Sequence, residues 1–150
     1  MISAHEQLDR RLAALRPLTE SVRPPRGWVR AIRETLGMTT RQLAERLGVS
    51  QPRIVKLEKS EMDGSLTLES LERAARAMGC RLVYVLVPEK PLGKTLEERA
   101  LKLADRQLAA IEQTMRLEDQ AVADRERRGE ARQRLADQLR RHPARLWDEP

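Results

Sequence analysis

A chain of 150 residues with 35% charged side chains, 2% aromatic ones and no Phe cannot fill a large aromatic core. Its apolar content is mainly Leu, Ala and Val, the material of thin helical bundles. The charge balance is basic, 29 Lys and Arg against 23 Asp and Glu, and the single cysteine, Cys80, excludes an internal disulfide framework.

No apolar run approaches the roughly 20 residues that span a bilayer, and the stretch from Met1 to Glu6 lacks a signal-peptide core. A soluble, cytoplasmic protein is expected. From the N-terminus, Ile2, Leu8, Leu12 and Leu15 recur at helical spacing with Arg10 and Arg11 opposite. That spacing predicts an amphipathic helix over 2–16, within an N-terminal segment ending near residue 22. Pro17 interrupts it, and Arg23-Pro24-Pro25-Arg26-Gly27 is a basic linker. A helix over about 27–36 is expected to bury Val29, Ile32 and Leu36 and to end at Gly37.

Residues 39–59 are the most informative stretch. Thr39 or Thr40 is placed to cap a helix over about 40–47, its hydroxyl taking an orphan backbone N–H, and Leu43, Ala44 and Leu47 share the inner face. Gly48 suits the left-handed residue that ends a helix without steric cost. Ser50 is a second N-cap, and Pro52 falls in the first turn, where its missing N–H does no harm. Ile54 and Leu57 then supply the apolar face of a helix over about 51–59. Two short helices joined by a tight turn have the shape of a DNA-reading helix-turn-helix; an αα-hairpin used only for packing has the same outline. Gln51, Arg53 and Lys56 favour the first, since they remain on the side of the second helix that would enter a major groove. Charge placement agrees: residues 26–59 hold eight Arg and Lys against three Glu, so nearly all the positive excess lies where phosphates would be met.

Beyond it, Glu61 to Gly64 forms a loop with a strong Asp63-Gly64 turn signal. A further helix begins after Thr67, with Leu68, Leu71, Ala74, Ala75 and Met78 facing inward and Gly79 ending it. Cys80 reads as a small buried hydrophobe. Arg81 to Pro88 is the one strand candidate, rich in Val and stopped by Pro88. A lone strand leaves its backbone groups unpaired, and nothing else in the chain resembles a partner strand. The same strand from a second copy, antiparallel about a two-fold axis, is the simplest solution, with Val83, Val85 and Val87 at the dimer contact. The alternative is an extended segment that merely covers the helices.

From Thr95 to about Arg128 the sequence suits one long helix. Leu101, Ala104, Leu108, Ile111, Met115 and Val122 follow steps of three and four, with Glu118 interrupting the seam. Residues 94–150 carry 13 basic and 12 acidic side chains, a balance suited to protein contact, so Leu101, Leu108, Ile111 and Met115 are the expected partner seam. Gly129 is expected to break the helix before a second one over about 130–141, bearing Leu135 and Leu139. Pro143 stops that helix, and Leu146-Trp147 forms an apolar plug in a polar tail.

Catalysis finds little purchase. His5 and His142 lie near opposite ends without metal-ligand spacing, and no Gly-rich phosphate loop is present. Glu97-Glu98 is a helix-start pair that suits the macrodipole, not an acid/base dyad. No enzyme activity, cofactor or metal is expected.

The segments L-A-E-R-L-G-V-S-Q (Leu43 to Gln51) and I-V-K-L-E (Ile54 to Glu58) resemble the lambda repressor and Cro family of XRE-type helix-turn-helix regulators. The resemblance implies a five-helix DNA-binding unit over 27–79. The expected fold is therefore mainly α: a lambda-repressor-like helix-turn-helix bundle, one short β-strand over 80–88 and a long C-terminal helical extension over 94–150. Gln51 is placed to pair with an adenine edge, and Arg53 and Lys56 to reach guanine or phosphate. Thr39, Thr40, Arg41, Ser50 and Lys59 are the expected phosphate contacts. Pro52 stands where many family members carry a polar residue, which removes one base contact.

Three longer stretches are similar to the mobile mystery protein A family: R-P-P-R-G-W-V-R-A-I-R (Arg23 to Arg33), L-G-M-T-T-R-Q-L-A-E-R-L-G-V-S-Q-P-R (Leu36 to Arg53) and S-L-E-R-A-A-R-A-M-G-C-R-L-V-Y-V-L-V-P (Ser70 to Pro88). That resemblance implies a regulator encoded on a mobile element beside a Fic-domain companion, the antitoxin-like half of a pair whose partner modifies target proteins with a nucleotide. Thr114 and Glu118 have the Ser/Thr-x-x-x-Glu spacing of some Fic inhibitors, with Asp119 where Gly or Asn belongs. A dimeric autorepressor on a double-stranded operator with inverted repeats is the leading expectation. An inhibitor or scaffold holding a partner enzyme through residues 94–141 is the alternative.

Overall fold

The computed structural model describes residues 1–21, 23–114 and 123–148. Helix α1 (Ala4–Ala13) opens on a capping box in which Ser3 and Glu6 bond each other's backbone N–H, and a 3-10 turn follows at Arg16–Glu20. Helix α2 (Trp28–Thr35) starts on Gly27, and α3 (Thr40–Leu47) starts on Thr39 and stops at Gly48. Helix α4 (Gln51–Asp63) runs from Ser50 to Gly64, a turn longer than the 51–59 expected, and α5 (Leu68–Ala77) is capped by Thr67. Helices α6 (Leu92–Thr114) and α7 (Ala123–Arg140) follow, then a 3-10 turn at Pro143–Trp147. No helix among the described residues is long and apolar enough to cross a membrane.

The chain divides into two compact units, Pro17–Leu86 and the combination of Met1–Arg16 with Val87–Pro150. In the first, Val29, Leu43, Ala44, Ile54, Ala74 and Met78 form the buried core, with Ile32, Leu47, Leu57 and Leu71 packed around it. Ala44 is small where α3 meets α4, which lets Ile54 seat fully; burying Leu43 or Ile54 stabilises by about 1.5–3 kcal/mol each. Four helices, not five, fill residues 27–79. Leu36 and Leu68, expected inside, are exposed because each sits at a helix end, where the next turn no longer covers it.

The expected strand does not form within the chain. Residues 80–88 carry no regular secondary structure. A strand exists only through its ladder, and no second strand is present among the described residues to supply one. Cys80 N–H closes on the Ala75 carbonyl at 2.8 Å, and beyond it Val83, Tyr84, Val85 and Leu86 are exposed, Val83 at 78% and Leu86 at 86%. Cys80 itself is half-buried rather than enclosed.

In the second unit α6 and α7 pack antiparallel around Ala100, Ala104, Ala136 and Leu146, with Leu96, Leu101, Leu103, Leu135 and Leu139 about them. Arg132 forks onto Asp105 at 2.7 and 3.0 Å, and Arg128 reaches Glu112 at 3.3 Å, fixing the antiparallel register. The single helix expected over 95–128 is thus two, and Gly129 lies inside α7 instead of breaking it. A helix interior tolerates one Gly at a cost of about 1 kcal/mol, and Gly129 sits on the exposed side of α7 with open space beside it. Leu101 is spent on this internal contact, Leu108 is half-buried and Ile111 is exposed. Met115, Glu118, Asp119 and Val122 lie outside the described residues, as does the side chain of Thr114. Leu146 plugs the end of the pair: Arg99 Nε donates to its carbonyl at 2.7 Å, and the same guanidinium lies 5.1 Å from the Trp147 ring centre. Helix α1 packs on α6, where Asp9 accepts the N–H groups of Leu92 and Gly93 at 2.7 and 3.0 Å.

Candidate nucleic-acid interface

Thr39 and Gln42 close the start of α3 reciprocally: Gln42 N–H donates to the Thr39 hydroxyl at 3.1 Å, and Thr39 N–H to Gln42 Oε1 at 2.8 Å. Those two orphan donors are consumed, so the N–H groups of Thr40 and Arg41 are the ones left to meet a phosphate. Gly48 adopts φ 66°, ψ 32°, a left-handed stop that any side chain would strain, and turns the chain into α4 within three residues. Ser50 occupies the N-cap position but its hydroxyl makes no cap bond, unlike Thr39 and Thr67, which leaves it to an external acceptor.

Gln51 and Thr40 meet across the turn. Gln51 Nε2 donates to the Thr40 hydroxyl at 2.9 Å. One amide N–H is thereby held, and no other hydrogen bond engages the second N–H or Oε1 among the described residues; an adenine edge asks for one donor and one acceptor. Thr40 keeps its hydroxyl hydrogen for a phosphate oxygen. Arg53, Lys56 and Lys59 are exposed on the same helix and make no ion pair among the described residues. Arg41, by contrast, pairs with Glu45 at 2.7 Å, an exposed pair of the kind that contributes about 0.3–0.5 kcal/mol, little enough for a phosphate to displace. The Gln51–Thr40 bond sets the first turn of α3, with Thr39, Thr40 and Arg41, against the first turn of α4, with Ser50, Gln51 and Arg53, and Lys56 and Lys59 lie further along α4.

What holds α4 in place was not legible as function. Arg33, counted with the basic residues of this segment, is buried: Nε and Nη2 fork onto Glu58 at 2.5 and 3.3 Å, and Nη1 donates to the Met38 carbonyl at 2.9 Å. One guanidinium thus ties α2, the approach to α3 and α4 together. Glu61, expected in a loop, lies in the last turn of α4 and accepts the N–H groups of Trp28 and Val29 at 2.7 and 3.0 Å, capping α2 from outside. Gly27 makes that approach possible: its φ is 86°, and a Cβ there would stand 2.6 Å from Glu61 Oε2. Arg23 binds the same end of α4, donating to the Glu61 and Met62 carbonyls at 2.7 and 3.3 Å. A signal existed: Ile54, Leu57, Glu58 and Glu61 share one helix face at steps of three, four and seven, and carboxylates at core positions demand buried donors. At the margins, the Glu34 carboxyl is held below its ordinary value by the Arg30 hydrogen bond, and that of Asp63 by the Ser65 hydroxyl and then the Ser65 N–H.

A helix-turn-helix family model matches residues 29–85. An uncharacterized HTH-type transcriptional regulator of Methanothermobacter thermautotrophicus is 45% identical over 51 residues, which cover 34% of this chain and 71% of that protein. No solved structure matches the chain significantly.

Proposed function

The chain belongs to the helix-turn-helix family of transcriptional regulators, and on that premise we propose that it is a sequence-specific repressor that reads double-stranded DNA with α4. The observation that carries the reading is the Gln51 amide, exposed, hydrogen-bonded to Thr40 and flanked by Arg53 and Lys56, which make no ion pair among the described residues. A pre-oriented amide loses less entropy on meeting a base edge than a free one does. Gln51 and Arg53 are assigned to bases, Lys56 to base or phosphate, and Thr39, Thr40, Arg41, Ser50 and Lys59 to phosphates. In a band-shift series, Gln51→Ala and Arg53→Ala should each cost about 1–3 kcal/mol on the correct site while nonspecific binding stays nearly constant. Equal losses on correct and scrambled duplexes would remove the base assignment.

The finer reading is a homodimeric, autoregulatory repressor, the antitoxin-like partner of a Fic-domain protein. Its support is the resemblance carried by residues 23–33, 36–53 and 70–88 and the exposed apolar run at Val83 to Leu86, a surface that a second copy would cover. A second reading, an inhibitor or scaffold, is favoured by Ile111 at the far end of α6 and Trp147 beside Leu146, two large apolar side chains left about half exposed. Co-expression with the neighbouring gene product, followed by size-exclusion and an activity assay, tests the partner-holding role itself: co-elution with a silenced enzyme supports it, and a chain that elutes free beside an active enzyme leaves only the repressor.

A further inference from the structure

A cleft of about 300 Å³ separates α4 from α5 on the side that carries Arg53 and Lys56. Arg53, Lys56 and Ser60 of α4 line it together with Ser70 and Arg73 of α5, above the apolar side chain of Leu57. Three cations and two hydroxyls thus converge on one opening, and none of the three cations makes an ion pair among the described residues. The rest of α5 is different: Arg76, one turn on, is neutralised by Glu72 at 2.8 Å. Converging like charges repel, and that repulsion turns into binding energy only when an anion enters.

We propose that the DNA backbone runs past α4 onto α5, and that Arg73, with Ser70 beside it, contacts a backbone phosphate at this cleft. The inference rests on the DNA-reading role of α4, since Arg53 and Lys56 form the opposite wall, and it extends the footprint beyond the α3–α4 pair to the next helix. A phosphate contact of this kind adds affinity and register but no sequence information.

The test is the salt dependence of binding by the full chain to a site selected from random duplexes, measured between about 50 and 200 mM salt. Arg73→Gln should make the slope of log affinity against log salt shallower by about 0.9, so that the wild type loses about threefold more affinity than the variant across that range. The loss at low salt should be the same factor on the selected and scrambled duplexes. Arg73→Lys should keep the wild-type slope, which shows that charge and not packing is at issue. Arg76→Gln, the same change in net charge on the same helix, should leave the slope unaltered. If Arg73→Gln keeps the full slope, or if Arg76→Gln lowers it equally, the α5 contact is overturned while the reading of α4 stands. If the wild type shows no salt-dependent binding to any duplex, the reading of α4 fails first. Inorganic phosphate added at constant ionic strength should compete no better than chloride; selective competition would mark a free-anion site and overturn the inference.

Discussion

At the scale of single residues, two buried carboxylates decide where the reading helix sits. Glu61 satisfies two N–H groups at the start of α2 that would otherwise be orphaned. Glu61→Ala is expected to cost about 2–3 kcal/mol in urea unfolding, beyond an ordinary cap loss because the site is enclosed. Gly27→Ala should cost about 1–3 kcal/mol, since a left-handed φ and a close carboxylate both oppose a methyl group. An unchanged unfolding midpoint in either variant would contradict the capping arrangement. For Arg33 and Glu58, removing one partner should cost about 3–5 kcal/mol, while Arg33→Met with Glu58→Leu together should cost far less. A double variant as damaged as the singles would show that the ion pair is not the unit. These contacts were hidden in the sequence because their partners lie 25 to 33 residues apart. The Thr39–Gln42 cap and Gly48 were legible because each is settled within a few residues of itself.

At the scale of elements, the helices followed their apolar spacing and the ends followed Thr, Ser and Gly; packing overrode local preference only in the C-terminal helices. Val83 to Leu86 has the composition of a strand, yet β-structure depends on a partner that no local pattern can supply. The heptad-like steps from Leu101 read as a seam for another molecule, and the chain instead folds α7 back onto part of that face. Helix α6 is anchored by Asp9, whose carboxyl lies below the ordinary carboxylate range, chiefly through the Gly93 N–H and then the Leu92 N–H. Its folded value is below its unfolded one, so the anchor is complete above the unfolded value and is lost as pH falls through the folded one. Lowering the pH from about 6 to about 2 should move the Leu92 and Gly93 amide proton resonances with a midpoint under that of an ordinary Asp. Asp9→Asn should abolish that transition. Resonances that stay still in the wild type would contradict the anchor.

At the scale of the whole molecule, the exposed apolar run at residues 83–86 calls for a covering surface. Pairing with the same residues of a second copy would place two reading helices on one body, with half-sites roughly 34–36 Å apart along the DNA. Val85→Pro removes a ladder donor and should give a monomer by analytical ultracentrifugation, with the helix-turn-helix unit still folded because its core is Leu43, Ile54 and Ala74. A dimer that survives this change would move the interface elsewhere, to α6 among the described helices. Whether α4 reads bases through Gln51 and Arg53 is decided by selecting binding sites from randomised duplexes with the wild type and with Gln51→Ala in parallel. The wild type should enrich one consensus arranged as an inverted repeat, and Gln51→Ala should lose its preference at one position in each half-site while keeping the others. An identical consensus from both proteins, or no enrichment by the wild type, would contradict the account.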